Sequence, residues 1–395
     1  MLAVTALTIA ACGSSSSSKS TSGSTTSSSS SGKSLASAAD PTKVYAPGVP
    51  TLEELYKGTE GTPPASGPPA KKGASVIFVS CGQESPGCAA PPDEFAGAAK
   101  VLGWNYKILN GKLDVDNYYD TAFREAIAAK PSAIVSEGIG CSEVTQPLRE
   151  AKAAGIPVLG IEGVDCNDPK VGGKEALQPI PFYYNDTAKN TAQWYEQFGA
   201  NQANYLIDAT QGKAKVIRTE FLGTFGIYQA EAQARQFKKC AECEILATLP
   251  FESSEQEPNG PLFQKFTTDL VKYTNANAIL MTFDTDEVTA GLAKAVVDSG
   301  RKNELVVGGG ETDAAGASLV REENGVDGEG GSHDVRWLSW AAADEVNRFL
   351  SHQPPVGEGL GFVVVDKNHN LPAPGQNYKT KVPYQEAYEK IWTGK

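Results

Sequence analysis

The chain has 395 residues, of which 40% are hydrophobic and 21% are charged, and its formal net charge is −12. About 320 residues follow a polar N-terminal region, which is too many for one core and indicates two domains. The acidity and the lack of a Lys/Arg cluster in the sequence argue against nucleic acid or anionic lipid as a partner, so we expect a soluble acidic protein.

Residues 1–12 have features of an export signal. An apolar run at 2–11 ends in Ile9-Ala10-Ala11-Cys12; this resembles a bacterial lipobox, which implies lipidation of Cys12. No Lys or Arg precedes the run, as a secretory signal normally requires, and an ordinary cleaved signal peptide is the alternative. The sequence contains no apolar run of about 18 residues that could span a bilayer. We therefore expect an extracytoplasmic protein anchored to the outer face of the cell membrane through Cys12.

Residues 13–72 are predicted to be a disordered tether and linker. Residues 13–37 are almost entirely Ser, Thr and Gly, which cannot bury apolar surface. One short helix is predicted at 51–56, with Thr51 as its N-cap, and a Pro/Gly linker follows at 62–69.

The first predicted strand, 76–79, is a continuous apolar run that is typical of a strand buried on both faces of a parallel sheet. It leads into a Gly/Pro loop between Cys81 and Cys88. Strands and helices then alternate, which predicts a doubly wound parallel sheet. The further strands are predicted at 104–109, 133–136 and 157–161, and the helices at 92–102, 117–129 and 143–154.

The same alternation then begins again, which predicts a second, similar α/β lobe. No strand or helix is predicted within a Gly-rich stretch at 308–331. The strands of this half are predicted at 214–221, 244–249, 278–283, 304–307 and 362–365, and the helices at 187–207, 227–239, 261–274, 287–298, 337–350 and 384–392.

Six cysteines follow the export signal, and an even number in a secreted chain suggests disulfides. Of the 15 connectivities, the sequential one is the simplest because each pair is local. Zinc would need four converging ligands, yet all three histidines lie near the C-terminus. A redox role for the CxxC is disfavoured because Cys240 is predicted to end a helix. The sequential pairs are Cys81–Cys88, Cys141–Cys166 and Cys240–Cys243.

Several phrases resemble the type I periplasmic solute-binding proteins of ABC importers, in their ribose/galactose-like branch. They are AKAAGIPVLGIEG at 151–163, Tyr184-Asn185-Asp186, DEVTAGLAKAVVDSG at 286–300 with LVVGGGE at 305–311, and WLSWAAADEVNRFL at 337–350. The resemblance implies two similar doubly wound lobes joined by a three-segment hinge, crossing near 182–186, 324–334 and 355–361. The N-terminal lobe would combine 73–182 with 332–356, and the C-terminal lobe 183–331 with 357–395.

The resemblance also implies a ligand site between the lobes, at the carboxyl ends of the strands. Several family positions are changed, because the usual Asp-Arg pair becomes Glu162-Gly163 and the Asn-Asp pair becomes Thr285-Asp286. Asp286 has an alternative interpretation as a helix N-cap, and Trp337 as a core residue. The expected ligand-binding residues are Gln83, Glu84, Ser136, Glu137, Glu162, Tyr184, Glu220, Phe225, Tyr228, Asp284, Asp286, Glu311, His333 and Trp337.

The leading hypothesis is a monomeric, cofactor-free solute-binding lipoprotein that delivers a sugar, modified sugar or polyol to an ABC permease. The sequence is also compatible with another small polar or aromatic solute as the ligand. The sequence contains no G-x-S-x-G, Walker A, H-E-x-x-H or helix-opening G-x-G-x-x-G motif, which disfavours a secreted hydrolase. A sensory receptor with the same fold, signalling to a membrane kinase or chemoreceptor, is the alternative.

Overall fold

The computed structural model describes residues 38–394, except for the side chains of 284–286. The predicted lipobox with Cys12 and the tether at 13–37 lie outside this range. The strands are β1 (Ser75–Ser80), β2 (Asn105–Asn110), β3 (Ala133–Glu137), β4 (Val158–Ile161), β5 (Lys215–Phe221), β6 (Glu244–Phe251), β7 (Ala278–Leu280), β8 (Val306–Gly309), β9 (Gly328–Ser332) and β10 (Val363–Asp366). The helices are α1 (Leu52–Lys57), α2 (Pro86–Leu102), α3 (Tyr118–Ala128), α4 (Cys141–Ala153), α5 (Thr191–Ala209), α6 (Thr224–Phe237), α7 (Pro261–Lys272), α8 (Asp284–Ala290), α9 (Leu292–Asp298), α10 (Ala314–Glu322), α11 (Val335–Leu350) and α12 (Tyr384–Thr393).

The strands of the described range form two sheets. The first has the order β2-β1-β3-β4 and is parallel throughout. The second has the order β10-β9-β8-β7-β5-β6 and is parallel except for the β10–β9 pair. We call the first sheet with α2–α4 the first lobe, and the second sheet with α5–α10 the second lobe. The predicted fold class, α/β with two doubly wound parallel-sheet lobes, is confirmed.

Strand β1 shows why the first sheet is covered on both faces. Successive side chains of a strand point to opposite faces. Val76 and Phe78 pack in the core that contains Phe95 of α2, whereas Ile77 and Val79 pack in the core that contains α3 and α4 residues. The continuous apolar run therefore serves two cores at once, as a central parallel strand requires.

Helix α2 begins six residues earlier than predicted, so it includes Cys88 and the end of the expected Gly/Pro loop. Pro86 occupies the first turn, where a missing N–H costs nothing. Pro92, deeper in the helix, leaves the carbonyl of Cys88 without its usual donor, and the Ser80 hydroxyl donates to that carbonyl at 2.7 Å instead. A polar side chain at the end of β1 thus allows the helix to extend into a proline-rich sequence.

The Gly-rich stretch at 308–331 is not a loop throughout, because it contains α10 and β9. The glycines of β9 let α5 lie against the strand backbone. A Cβ at Gly328, Gly330 or Gly331 would overlap Tyr205, Gln202 or Phe198 of α5, respectively. The strand therefore lacks the β-branched residues by which strands are usually recognised in a sequence. The helix predicted at 287–298 is also divided, at Gly291, whose φ is +103°.

Residues 38–72 pack on the body of the protein and do not form the predicted disordered linker. Thr51 caps α1 in a reciprocal arrangement with Glu54, and Leu52 and Leu55 are buried against the second lobe. The chain then runs beside residues 359–362, where the Gly61 N–H donates to the carbonyl of Gly359 at 2.8 Å. Residues 66–71 finally lie along α11. We call residues 58–71 the N-terminal strap.

The C-terminal segment divides between the lobes, whereas the predicted division assigns 357–395 to the C-terminal lobe alone. Strand β10 pairs with β9 of the second sheet. Helix α12 instead packs on α11 and α2, because Trp392 stacks on Trp340 of α11 and its Nε1 donates to Asp344 at 2.6 Å. The lobe boundaries otherwise stay a prediction. Among residues 38–394, no helix combines the length and the apolar character needed to cross a membrane.

Asn347→Ala tests the attachment of the N-terminal strap. The fully buried Asn347 amide accepts from the N–H of Lys71 at 2.8 Å and donates to the carbonyls of Pro68 and Pro69. Because its removal leaves these groups unpaired, we expect a loss of about 2–4 kcal/mol in the free energy of unfolding, measured in urea. The exposed Asn303→Ala is the control and should change it by less than about 0.5 kcal/mol. Equal stability of the two variants would contradict the attachment.

Candidate ligand-binding site

A cleft of about 380 Å³ lies between the two lobes. All of its strand-borne residues come from carboxyl ends, because parallel strands bring these ends to one edge of each sheet. The volume is within the range of small-molecule sites. Representative lining residues are Glu84 after β1, Leu113 after β2, Glu137 at the end of β3, Glu162 after β4, Phe221 at the end of β5, Glu257 after β6, Phe283 after β7 and Glu311 after β8.

Glu162 lies at the junction of this cleft and a smaller adjoining cavity of about 60 Å³. Its backbone has a φ of +55°, which is unusual for a non-glycine residue. The Glu162 N–H donates to the Tyr184 hydroxyl at 3.0 Å. That hydroxyl lies 3.1 Å from the Thr191 hydroxyl, which donates to the carbonyl of Gly163. These contacts hold the backbone in place and orient the Glu162 side chain.

The Glu162 carboxyl group is only 7% exposed. Within the described part of the chain, its Oε1 has no hydrogen-bond partner. Burial raises the pKa of Glu162 to about 7, although the polar groups of Trp194 and Tyr195 act in the opposite direction. His333 Nε2 lies 3.9 Å from Oε1, but burial lowers the pKa of His333, so a neutral imidazole is expected at pH 7.

Other glutamates line the same cleft. Glu137 is buried at the end of β3, with its Oε2 3.0 Å from Cys81 Sγ. Glu143 opens into the cleft and accepts the N–H of Gly140 at 2.6 Å at the start of α4, and the surrounding protein raises its pKa to about 7 through burial. With Glu84, Glu162, Glu257 and Glu311, six glutamates lie among the described lining residues of the larger cavity, which include no Lys, Arg or His.

An aromatic wall faces these carboxylates from the second lobe. It consists of Tyr195, Phe221, Phe225 and Phe283. The Tyr195 and Phe225 rings stack with their centroids 4.5 Å apart, and Phe283 meets Phe225 edge to face at 5.8 Å. Such a wall suits the apolar face of a ring or the methylene groups of a chain.

The three sequential cysteine pairs lie close enough to be bonded, with Cα–Cα distances of 5.3, 5.0 and 5.2 Å in chain order. Cys81–Cys88 joins the end of β1 to α2 and lines the cleft, whereas Cys141–Cys166 joins the start of α4 to the loop after β4. Among the described residues, the groups with three metal-ligating side chains each include one of these two pairs. Because disulfide sulfurs are not thiolates, these groups are not metal sites while the pairs are bonded.

The structure brings five of the expected ligand-binding residues together at the larger cavity. His333 lines the smaller cavity, beside Glu162 and Glu311. The side chains of Asp284 and Asp286 lie outside the described atoms. The five residues at the larger cavity are Glu84, Glu137, Glu162, Phe225 and Glu311.

Three expected residues lie inside the protein instead of lining either cavity. Tyr184 positions the Glu162 backbone and stacks on Trp194, with ring centroids 4.7 Å apart. Trp337 is buried in the core, where it stacks on Tyr384. Ser136 is fully buried. These three side chains pack inside the protein because the helices and the hinge cover them.

Three more expected residues are held by other partners. Gln83 donates its side-chain amide to the Ser80 hydroxyl at 3.0 Å, and Glu220 forms an ion pair with Arg218 at 2.8 Å. Tyr228 donates to Asp168 of the first lobe at 2.5 Å, beside an ion pair between Lys170 and Glu231. The Tyr228 contact therefore joins the two lobes, and Tyr228 is not one of the residues that line the cleft.

Several lining residues were not predicted from the sequence. Phe221 and Phe283 end or follow strands, so the rule of carboxyl ends could have found them. Tyr195 gives no such signal, because it lies inside α5, far from any strand end in the sequence. The unpredicted lining residues include Tyr119, Glu143, Tyr195, Phe221, Gln256, Glu257 and Phe283.

The raised pKa of Glu162 predicts a pH dependence of stability. An acid whose folded pKa of about 7 exceeds its unfolded value of 4.5 binds more protons when folded. The ligand-free protein should therefore lose stability as the pH rises from 4.5 to 7, by about 3 kcal/mol from this group. In thermal melts at a series of pH values, Glu162→Gln should flatten this decline, and the exposed Glu242→Gln should not. Parallel curves for wild type and Glu162→Gln would contradict the assignment.

The sequential disulfides are tested by peptide mass mapping without reduction. We expect linked peptides for Cys81–Cys88 and Cys141–Cys166, and a two-proton mass deficit in the peptide that contains Cys240 and Cys243. A link from Cys141 to any cysteine other than Cys166 would contradict the scheme.

No protein-family model and no curated protein matches the chain. Solved structures do. A glucose-galactose binding protein from Geobacillus stearothermophilus has a TM-score of 0.60 and 19% identity, with 77% of this chain and 100% of that chain covered. An ABC transporter solute-binding protein from Agrobacterium vitis with bound allitol has a TM-score of 0.59 and 18% identity, with 75% of this chain and 96% of that chain covered. The periplasmic binding component of the arabinose ABC transporter from Shewanella sp. ANA-3 has a TM-score of 0.59 and 16% identity, with 81% of this chain and 96% of that chain covered. The chain therefore has the two-lobed fold of the type I periplasmic solute-binding proteins.

Proposed function

We propose that this chain is the extracytoplasmic solute-binding component of an ABC importer. It captures one small polar solute, a sugar, modified sugar or polyol, and delivers it to a membrane permease. The observation that carries the proposal is the cleft of about 380 Å³ at which the strand ends of both lobes meet. The similar structures bind allitol, glucose or galactose, and arabinose. Lipidation of Cys12 would hold a monomer at the outer face of the membrane.

The segments between the lobes support capture by hinge closure. Residues 183–185 run beside 358–360, because the N–H groups of Glu358 and Leu360 donate to the carbonyls of Tyr183 and Tyr184 at 3.0 and 2.9 Å. Gly359 has a φ of +78°, a left-handed conformation that glycine adopts readily and residues with a side chain do not. The hydrogen bond from Tyr228 to Asp168 is a further contact between the two lobes.

The cleft supports binding and release of an unchanged solute, as the transport proposal requires. Its aromatic wall and carboxylates can stack on and hydrogen-bond a polar ring. The described residues contain no feature that favours the sensory alternative over import.

The proposal is tested by a thermal-shift screen of the protein against sugars, polyols and their modified forms. A hit at a hundredfold excess over its Kd should stabilise the protein by about 2.7 kcal/mol. Titration should give one site per chain, small-angle scattering should show a smaller radius of gyration, and the hit should be recovered unchanged. Absence of any hit, or turnover of the hit, would contradict the proposal.

Phe225→Ala tests the site itself. Loss of the ring that stacks on Tyr195 should weaken binding of the hit by about tenfold, as measured by calorimetry. Phe349→Ala is the matched control, because that half-buried ring lies on α11 outside the lining residues. If both variants bind like the wild type, the solute binds elsewhere.

A further inference from the structure

We propose that the solute of this cleft is a small organic cation: a protonated amine whose body is a ring or a hydroxylated chain. The inference rests on the proposed function and deepens it, because it names the charge of the ligand. It follows from the charge, the hydrogen-bonding groups and the two walls of the cleft.

The first observation is the sign of the charged side chains that line the cleft. The described lining residues of the larger cavity include six glutamates and no basic side chain. Two basic residues of the second lobe, Arg218 and Lys265, have acidic partners in Glu220 and Glu255. A cleft lined by one sign of charge, with walls of low dielectric constant, concentrates counter-ions of the opposite sign. An uncharged solute would bring no positive charge to these acidic side chains, whereas a cation would.

The second observation is the carboxyl group of Glu162. It is more than nine-tenths buried at the junction of the two cavities, and in the part of the chain that the structure describes its Oε1 has no hydrogen-bond partner. The nearby His333 imidazole is 3.9 Å away, beyond hydrogen-bond reach. A buried acceptor without a donor is costly, so a ligand that brings a donor and a positive charge would bind best at this atom.

The third observation is that the carboxylates converge. Glu137 lines the larger cavity together with Glu162 and Glu311, and, beyond burial, the charges of these three glutamates contribute to raising the pKa of Tyr195. Glu162, Glu311 and Tyr195 all line the larger cavity. One ammonium group in this space could contact more than one carboxylate.

The donors and acceptors of the cleft are also unequal. Ionised carboxylates only accept hydrogen bonds, whereas a sugar hydroxyl both donates and accepts. Glu143 and Glu162, whose pKa values are about 7, are acceptors only once they have lost their protons, and a bound cation favours that ionised form. An ammonium group has three donors and no acceptor, and therefore matches a glutamate-lined space better. The aromatic wall of Tyr195, Phe225 and Phe283 faces the carboxylates, so it can hold the body of the ligand and attract a cation through its ring faces.

Matched pairs of probes test the inference by calorimetry at low and moderate salt. Each pair consists of a protonated amine and its uncharged counterpart: glucosamine with glucose, and glucamine with sorbitol. We expect at least one amine to bind about tenfold or more tightly than its counterpart. The preference should decrease as salt rises.

Glu162→Gln and Glu311→Gln identify the charges responsible. Each replacement keeps the side-chain size and removes one charge, so each should weaken the bound amine by about tenfold and leave the uncharged counterpart little changed. The exposed Glu386→Gln on α12 is the control and should bind like the wild type. Melting curves establish that each variant folds, and Glu311, which is half-exposed, provides a second test if Glu162→Gln is unstable.

The outcomes separate this inference from the proposed function. Tighter binding of the uncharged partners overturns the inference and leaves the proposed function supported. Preferential binding of Ca²⁺, or an amine whose affinity is unchanged in both glutamine variants, also overturns the inference. If no probe of any pair binds, both the inference and the proposed function are contradicted.

Discussion

The hydroxyl group of Tyr184 connects the hinge to the deepest part of the cleft. It accepts the N–H of Glu162 and lies beside Thr191, the first residue of α5. The carbonyl of the same residue accepts an N–H from Leu360 in another hinge segment. One tyrosine therefore fixes the strained backbone of Glu162, the start of the helix that carries Tyr195, and the register of two crossing segments. The electrostatic character of the site depends on this arrangement, because it determines where the Glu162 carboxyl group is buried.

The fold was largely predictable, because hydrophobic periodicity reports local burial. The run at 76–79 identifies a central strand, since each of its side chains enters one of two cores. The missed elements have physical reasons. Strand β9 is rich in glycine because α5 lies against its backbone, and α2 extends past Pro92 because the Ser80 hydroxyl donates to the carbonyl that this proline leaves without its usual donor. Both depend on specific contacts outside the element itself, which hydrophobic periodicity does not report.

The candidate site was predictable only in part. Strand ends located Glu137, Glu162 and Glu311, because parallel strands place their carboxyl ends at one edge. The same rule included Glu220, which is instead held by Arg218. Tyr195 comes from the middle of a helix, and its role follows only from the tertiary fold. Structures that share this fold bind uncharged sugars and polyols, yet the fold does not determine the ligand. The lining residues do, and the charged side chains among the described ones are all acidic.

The N-terminal strap adds a mechanical element to the hinge. Thr59 is hydrogen-bonded to the backbone of Phe362 through both its own backbone and its side chain, and Gly61 is hydrogen-bonded to Gly359. The strap begins on the second lobe and ends along α11 beside the first. Rotation of one lobe against the other must therefore bend four neighbouring backbone segments where three would connect the lobes. The fourth segment therefore stiffens the hinge and narrows the range of angles between the two lobes. It also places the point at which the chain enters the protein on one lobe, so a pull on the preceding residues would act on that lobe first.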